Sequence, residues 1–185
     1  MSREKRDKEI AELESRAILS LERGQQLEPT ETTSKLRVGY RLWNYPSFGE
    51  YKSWLLFLPS AHDWEFTFAR EITWKRQDDI ERLTNPMVGL QKGFHTSPSI
   101  EVVDAVVDIK RLNEHLRNLR KIRVPAGDFQ EPFGLDGEGN GFQTFTFGGR
   151  FRMEWWCNGP EEWQEFINWF AGMREFLESH FRPWE

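Results

Sequence analysis

The segment WEFTFAREITW, residues 64–74, carries the strongest folding signal in the chain, because apolar and polar side chains alternate along it. The even positions hold Trp64, Phe66, Phe68, Ile72 and Trp74, whereas the odd positions include Glu65, Thr67, Glu71 and Thr73. Successive side chains of a β-strand point to opposite faces of a sheet. A period of two over this length therefore predicts a strand with one buried and one solvated face.

Other segments add to this strand. Short β-rich runs occur in KLRVGYRLW, SWLLFLP and SIEVVDAVVD, and the first two are separated by a turn at residues 46–49. The run FQTFTFGGRFRMEWW predicts a β-hairpin with Gly148 and Gly149 in the turn, which places Phe145 opposite Arg152. Together these runs predict one mainly antiparallel sheet of about five to seven strands.

A first helix is predicted over residues 108–123. Asp108 is suited to the N-cap, and leucine and isoleucine side chains recur at helical spacing until Pro125 stops the helix. The outer face is basic, with Lys110, Arg111, Arg117, Arg120, Lys121 and Arg123. Such a face is either a solvated helix surface, with cations favoured near the C-terminal end, or a docking face for an acidic partner.

A second helix is predicted over residues 160–181. Its apolar stripe is widened along one flank by Trp169, Phe176 and His180. A stripe of that width needs a further cover, which is either another element of the chain, such as the N-terminal helix, or a partner protein. With both helices against one face of the sheet, the predicted fold class is α+β.

The N-terminal segment has a different composition. Residues 3–23 contain twelve charged side chains, six of each sign, around a narrow stripe of Ile10, Leu13, Ala17 and Leu21. This predicts a charged helix too thin on its apolar side for a deep core element, so it lies over the domain edge, pairs with another chain or frays. The predicted organisation is a helix and linker over residues 1–34 and a single α+β domain over residues 35–185.

Bulk properties limit the classes of function. The net charge of -5 argues against a general nucleic-acid binder, which needs a basic surface, although a local basic patch remains possible. The single cysteine, Cys157, allows no intrachain disulfide, and no apolar run approaches the length of a membrane span. We therefore expect a soluble cytoplasmic protein that is not bound to a membrane.

The stretch GLDGEGNGF, residues 134–142, imitates the start of a calcium loop. Asp136, Glu138 and Asn140 occupy alternating positions, but the position that requires a bidentate carboxylate falls on Phe147. The stretch therefore predicts a glycine-rich turn with an exposed acidic tip, in which the glycines supply positive φ angles. The four histidines, His62, His95, His115 and His180, have no metal-ligand spacing, so neither a metal nor a cofactor is expected.

The part of the chain from about residue 100 onward resembles small uncharacterised bacterial proteins of the immunity type, which are associated with polymorphic toxins. The resemblance rests on a strand and a leucine-spaced helix ending in RKIRVP, then GLDG, a hairpin ending in EWW, and PEEW at the start of the last helix. It implies a non-catalytic role in binding another protein. It supplies no catalytic residues.

The expected function is therefore non-catalytic protein binding, in the form of a cytoplasmic immunity protein that neutralises a cognate toxin. Residues 154–185 hold seven glutamates against Arg174 and Arg182, and acidic surfaces complement basic toxin sites. The candidate partner-binding residues are Asp136, Glu138, Glu165, Trp169, Phe176 and His180.

Two alternatives remain open. One is a small-ligand-binding protein or enzyme with a pocket near the irregular connection of residues 84–99, where His95 is the candidate site residue. The other is a structural or adaptor protein that oligomerises through the charged N-terminal helix.

Overall fold

The computed structural model describes residues 3–26, 36–58, 66–92, 97–125, 136–146 and 149–181. Over these ranges the chain forms one six-stranded antiparallel sheet and five α-helices, which confirms the predicted α+β class. The helices are α1 (Arg3–Glu22), α2 (Arg76–Thr84), α3 (Pro86–Lys92), α4 (Ile109–Leu119) and α5 (Gln164–Phe181). The strands are β1 (Arg37–Pro46), β2 (Tyr51–Leu58), β3 (Phe66–Trp74), β4 (Ile100–Asp108), β5 (Glu138–Thr146) and β6 (Gly149–Trp156). Short 3-10 turns cover Gly24–Gln26 and Glu161–Trp163.

The strand order in the sheet is β4-β3-β2-β1-β5-β6. Neighbours pair in antiparallel register, with Leu42 opposite Trp54 between β1 and β2 and Ala69 opposite Ala105 between β3 and β4. The chain thus builds β1 to β4 as a meander and then returns to place β5 beside β1. The two central strands β1 and β2 are consequently flanked on both sides.

One face of the sheet carries the larger core. Helices α4 and α5 pack on this face, as predicted, and α5 supplies most of the aromatic side chains. The buried members from the sheet are Leu42, Trp54, Leu56, Ala69, Val107, Phe142, Met153 and Trp155, and those from the helices are Leu112, Leu116, Phe166, Trp169, Phe170, Met173, Phe176 and Leu177. Edge-to-face ring contacts, such as Trp155 with Phe170 at 4.8 Å, hold this layer together.

The opposite face of the sheet is covered by α1, and this corrects the expectation of a helix at the domain edge. Leu13, Ala17 and Leu21 are 0–2% exposed and pack against residues such as Ile72 and Trp74. A stripe with Ala17 at its centre is thin, but the small side chain lets the helix axis approach the sheet closely. The fold therefore has three layers, with helices on both faces of the sheet.

Because both faces are covered, the prediction of one solvated face on β3 is wrong. Thr67 and Thr73 lie on the face towards α4 and α5 and are buried, and Arg70 on the other face is buried as well. Trp64 and Glu65, the first two residues of the alternating segment, lie outside the described ranges.

Two local predictions need adjustment. In the β5–β6 hairpin Phe145 pairs with Arg150 rather than Arg152. This slip of two residues leaves the described side chains, such as Phe145, Arg152 and Met153, on their predicted faces. The connection over residues 84–99 is not irregular throughout, because it contains α3. His95 and the predicted boundary between residues 34 and 35 both fall outside the described ranges.

Candidate protein-binding surface

Helix α4 begins where the sequence predicts. The carboxylate of Asp108 accepts hydrogen bonds from the backbone N–H groups of Lys110 (2.7 Å) and Arg111 (3.1 Å), so it is the N-cap of the helix. These donors stabilise the charged form and lower the pKa of Asp108 below its ordinary value. Leu112 and Leu116 then bury the inner face of α4 and leave the basic face towards solvent.

The aromatic flank of α5 is covered within the chain, by α4 and not by α1. The indole Nε1 of Trp169 donates to the carbonyl oxygen of His115 at 2.8 Å, and the Phe176 and His115 rings lie 4.8 Å apart. Trp169 and Phe176, both predicted as partner contacts, are 8% and 5% exposed and so are used in internal packing. Burial and the nearby Arg111 lower the pKa of His115.

His180 is half-buried beside this layer. Its Nδ1 lies 2.8 Å from the carbonyl oxygen of Phe176, and the two rings make an edge contact at 4.8 Å. The predicted group of Trp169, Phe176 and His180 is thus brought together by the fold, but as a packed cluster at the α4–α5 contact.

A shallow groove of about 450 Å³ runs along the outside of that contact. It is lined by His115, Asn118, Lys121, Ile122, Glu165, Asn168, Trp169 and Gly172. Glu165, the remaining α5 residue of the predicted set, is exposed and lies on the α5 side of the groove. The groove therefore separates Lys121, which lies just after α4, from Glu165 of α5.

A second polar cluster lies where β5 begins, on the other flank of α5. The amide Nδ2 of Asn44 on β1 donates to Glu138 Oε2 and to Asn140 Oδ1, each at 2.8 Å. Arg174 on α5 bridges this cluster, with its guanidinium 3.8 Å from Glu138 and 3.9 Å from Glu178. We name the carboxylates of Asp136, Glu138 and Glu178 the acidic flank.

Gly137 and Gly141 of GLDGEGNGF serve packing rather than positive φ angles. Their strand β5 already begins at Glu138, and positive φ among the described glycines occurs at Gly49 and Gly159. A Cβ atom on Gly141 would lie 2.0 Å from the Trp43 ring, and one on Gly137 would lie 2.2 Å from Cys157 Sγ. Residues 138–142 of the predicted turn therefore form the start of strand β5, whose Gly141 packs against the Trp43 ring, while Asp136 is exposed, as predicted.

The face beneath α1 holds a charged cluster that sequence reasoning missed. Arg41 is 1% exposed, donates to Ser53 Oγ (2.9 Å) and the Tyr45 hydroxyl (2.7 Å), and lies 3.6 Å from Glu22 of α1. Burial lowers the pKa of Arg41, and burial raises the pKa of Tyr45 to about 12. The available signal was the alternation of Arg41 with apolar neighbours in β1, together with glutamates on one side of the α1 stripe.

Two further arginines belong to the same covered face. Arg70 forms a bidentate pair with Asp104 at 2.7 and 2.8 Å and donates to the Gly24 carbonyl at 3.1 Å. Arg76 faces Glu14 of α1 at 3.8 Å, and Glu14 also accepts a hydrogen bond from the Tyr51 hydroxyl. Helix α1 thus supplies the apolar cover of this face and the counter-charges of Arg41 and Arg76, while Asp104 of β4 supplies that of Arg70.

Within the part of the chain that the structure describes, no group of three or more His, Cys, Asp or Glu side chains is arranged to hold a metal ion. None of the helices in the same ranges is both long enough and apolar enough to span a membrane. Comparison of the chain with protein-family models, with curated proteins and with solved structures gave no match.

Proposed function

We propose that this chain is a non-catalytic protein-binding protein that covers a basic surface of its partner, as a cytoplasmic immunity protein covers the site of a toxin. The observation that supports this best is the fixed position of the Glu138 carboxylate. Asn44 and Arg174 hold it at the start of strand β5, and the exposed Asp136 lies two residues away.

A carboxylate held in this way is suited to recognition. Its side chain is already ordered before binding, so less conformational entropy is lost when a cation of the partner approaches. Arg174 leaves part of the acidic flank unneutralised, because it serves both Glu138 and Glu178 at distances near 4 Å. Negative charge on such a flank raises the association rate with a basic partner and makes that rate sensitive to salt.

The first partner to test is the protein encoded beside this chain in its source genome. That protein is expressed alone and together with this chain, growth of the host is measured, and complex formation is followed by association kinetics at low and at near-physiological ionic strength. The proposal expects protection of growth, a stable complex, and slower association at the higher ionic strength. No protection and no complex would contradict neutralisation of that neighbour.

A double variant tests the surface itself. D136N with E178Q removes two charges of the acidic flank without touching the hydrogen bonds of Glu138, and we expect the association rate to fall about tenfold. The matched control is E4Q with E12Q, which removes the same charge from the exposed side of α1. Equal association rates for the two double variants would show that the acidic flank is not the binding surface.

The two alternative functions remain predictions. The groove described above lies between α4 and α5 and not beside α3, and His95 is outside the described ranges. The apolar stripe of α1, on which an oligomerising role would depend, is occupied by the sheet of its own chain.

A further inference from the structure

Two stripes of opposite charge lie side by side on the outer surface of the α4–α5 layer. The basic stripe consists of exposed cations on α4 and just after it: Lys110, Arg111, Arg117, Arg120, Lys121 and Arg123. The acidic stripe consists of exposed glutamates at the start and along the outside of α5: Glu161, Glu162, Glu165 and Glu175. Glu114 is an exposed acid within the basic stripe. Throughout the described ranges, no member of either stripe forms an ion pair within 4.0 Å.

The relative level of residues on the two helices follows from their contacts. The helices are antiparallel, because Trp169 contacts His115 while Phe176, further along α5, contacts Arg111, nearer the start of α4. Glu165 precedes Trp169 by four residues, or about 6 Å along the axis.

Glu165 therefore lies level with the end of α4 and lines the same groove as Lys121. Glu175 precedes Phe176 and lies level with the first turn of α4, which holds Lys110. Lys121 and Glu165 thus lie at equal height on the two sides of the groove, and Lys110 and Glu175 lie at equal height near the start of α4.

A positive stripe beside a negative stripe is complementary to a second copy of itself. When the two-fold axis runs parallel to the helices, α4 of one copy lies over α5 of the other, and unlike charges meet twice. When the axis runs across the helices, α4 lies over α4 and like charges meet. A long polyanion such as nucleic acid would satisfy the basic stripe but would be repelled by the glutamates beside it.

We infer that a second copy of this chain binds to the α4–α5 surface and forms a symmetric dimer whose two-fold axis is parallel to these helices. Rotation about such an axis keeps every residue at its own height. Lys121 therefore meets Glu165 of the second copy, and Lys110 meets Glu175, with each contact formed twice.

The α4–α5 surface is charged and not apolar, and this determines which forces hold the dimer together. The exposed large apolar side chains of the described ranges lie elsewhere: Leu19, Phe48, Met87, Leu90, Val103, Val106 and Phe151. The association therefore depends on charge, and it weakens as salt screens the stripes. It does not rest on the proposed function, because Arg174 and the acidic flank lie on the side of α5 facing away from α4.

Two charge-reversed variants test the arrangement by light scattering at low ionic strength. K110E with K121E places acidic side chains opposite Glu165 and Glu175 of the second copy, and E165K with E175K places basic side chains opposite Lys110 and Lys121. Each variant alone is therefore expected to be monomeric. An equimolar mixture is expected to form a dimer containing one copy of each, because the substituted positions of either variant then face side chains of opposite charge. The wild-type chain is expected to be dimeric at low salt and monomeric at high salt.

Matched controls carry the same charge changes on α1, on the other side of the sheet. K8E with R16E and E4K with E12K are expected to dimerise like the wild type. Circular dichroism establishes that each variant is folded, and the single variants K121E and E175K replace a double variant that is not. The inference is overturned by a wild-type monomer at low salt, by a charge-reversed variant that dimerises alone, or by a mixture that remains monomeric.

Discussion

Gly139 and Gly141 lie on the same face of β5, two residues apart, yet only Gly139 has room for a side chain. A Cβ atom on Gly141 would lie 2.0 Å from the Trp43 ring, whereas the nearest atom to one on Gly139 is a backbone oxygen at 3.8 Å. We expect G141A to lower the free energy of unfolding by about 1–3 kcal/mol through overpacking. Urea unfolding measures the loss.

The matched variant G139A is expected to change the free energy of unfolding by less than about 1 kcal/mol, with a gain favoured because alanine has less backbone freedom to lose than glycine. Equal losses in the two variants would contradict the assignment of Gly141 to the contact with Trp43. This distinction could not be read from GLDGEGNGF, because both glycines fit a turn equally well in the sequence.

A second single residue, Tyr45, makes a pH-dependent contribution to the free energy of unfolding. Its hydroxyl lies under α1, and burial raises its pKa from 10.0 to about 12. The folded state therefore favours the protonated phenol, and that stabilisation is complete below pH 10 and is lost as the pH rises from about 10 to about 12. Tyr51, whose pKa is also raised by burial and by Glu14, contributes in the same direction.

We expect the free energy of unfolding to fall between about pH 10 and about pH 12 with a slope below about 1.4 kcal/mol per pH unit for each tyrosine. Y45F removes one contributor, so its slope should be shallower, as measured by urea unfolding at each pH. An unchanged slope in Y45F would show that Tyr45 titrates normally in the folded chain.

At the scale of elements, α1 is a structural layer and not an appendage. Ala17 is fully buried against the sheet, whereas Ala11 on the same helix is exposed. We expect A17Q to lower the free energy of unfolding by about 2–4 kcal/mol, because a longer polar side chain forces α1 away from the sheet. A11Q should change it by less than about 0.5 kcal/mol.

Tryptophan fluorescence and chemical unfolding check both variants. If A17Q were as stable as A11Q, α1 would not be docked as the contacts of Leu13 and Leu21 indicate. Docking also has an electrostatic part, since Glu22 lies 3.6 Å from the buried Arg41 and 3.2 Å from Arg152.

The elements differ in how far the sequence predicts them. Strand β3 and the Asp108 cap of α4 are both predicted from local signals, and both appear in the structure. The place of α1 is not local, because the sheet face that it covers includes Arg41 and Arg70, which look solvent-facing in the sequence. Only the counter-charges from α1 and β4 make that burial tolerable.

At the candidate surfaces, too, the sequence predicts local features but not those that depend on packing between elements. The exposure of Asp136 and Glu165 follows from composition and loop chemistry, and the structure places both at the surface. Trp169 and Phe176 look available in the sequence because the stripe of α5 is wide. Their burial depends on how closely the neighbouring α4 packs, which is a property of the layer and not of α5.

At the scale of the molecule, one sheet is shared by two hydrophobic cores, one on each of its faces. Strand β2 contributes to both, since Leu56 is buried towards α4 and α5 while Leu55 is buried towards α1. Charge is divided in a similar way, with arginines neutralised beneath α1 and unpaired stripes on the outside of α4 and α5. The covered face thus contributes stability, and the opposite outer surface carries the groups available to a partner.

Because the two hydrophobic cores share one sheet, we expect them to unfold together. L55A and L56A each remove a buried leucine side chain from one face, and each should lower the free energy of unfolding by about 2–5 kcal/mol. Because loss of either core exposes the same sheet, urea unfolding followed by far-ultraviolet circular dichroism and by tryptophan fluorescence should give one coincident transition in both variants. Two separate transitions in L55A, with only the first shifted, would show instead that α1 and its core form an independent unit that detaches before the rest of the chain unfolds.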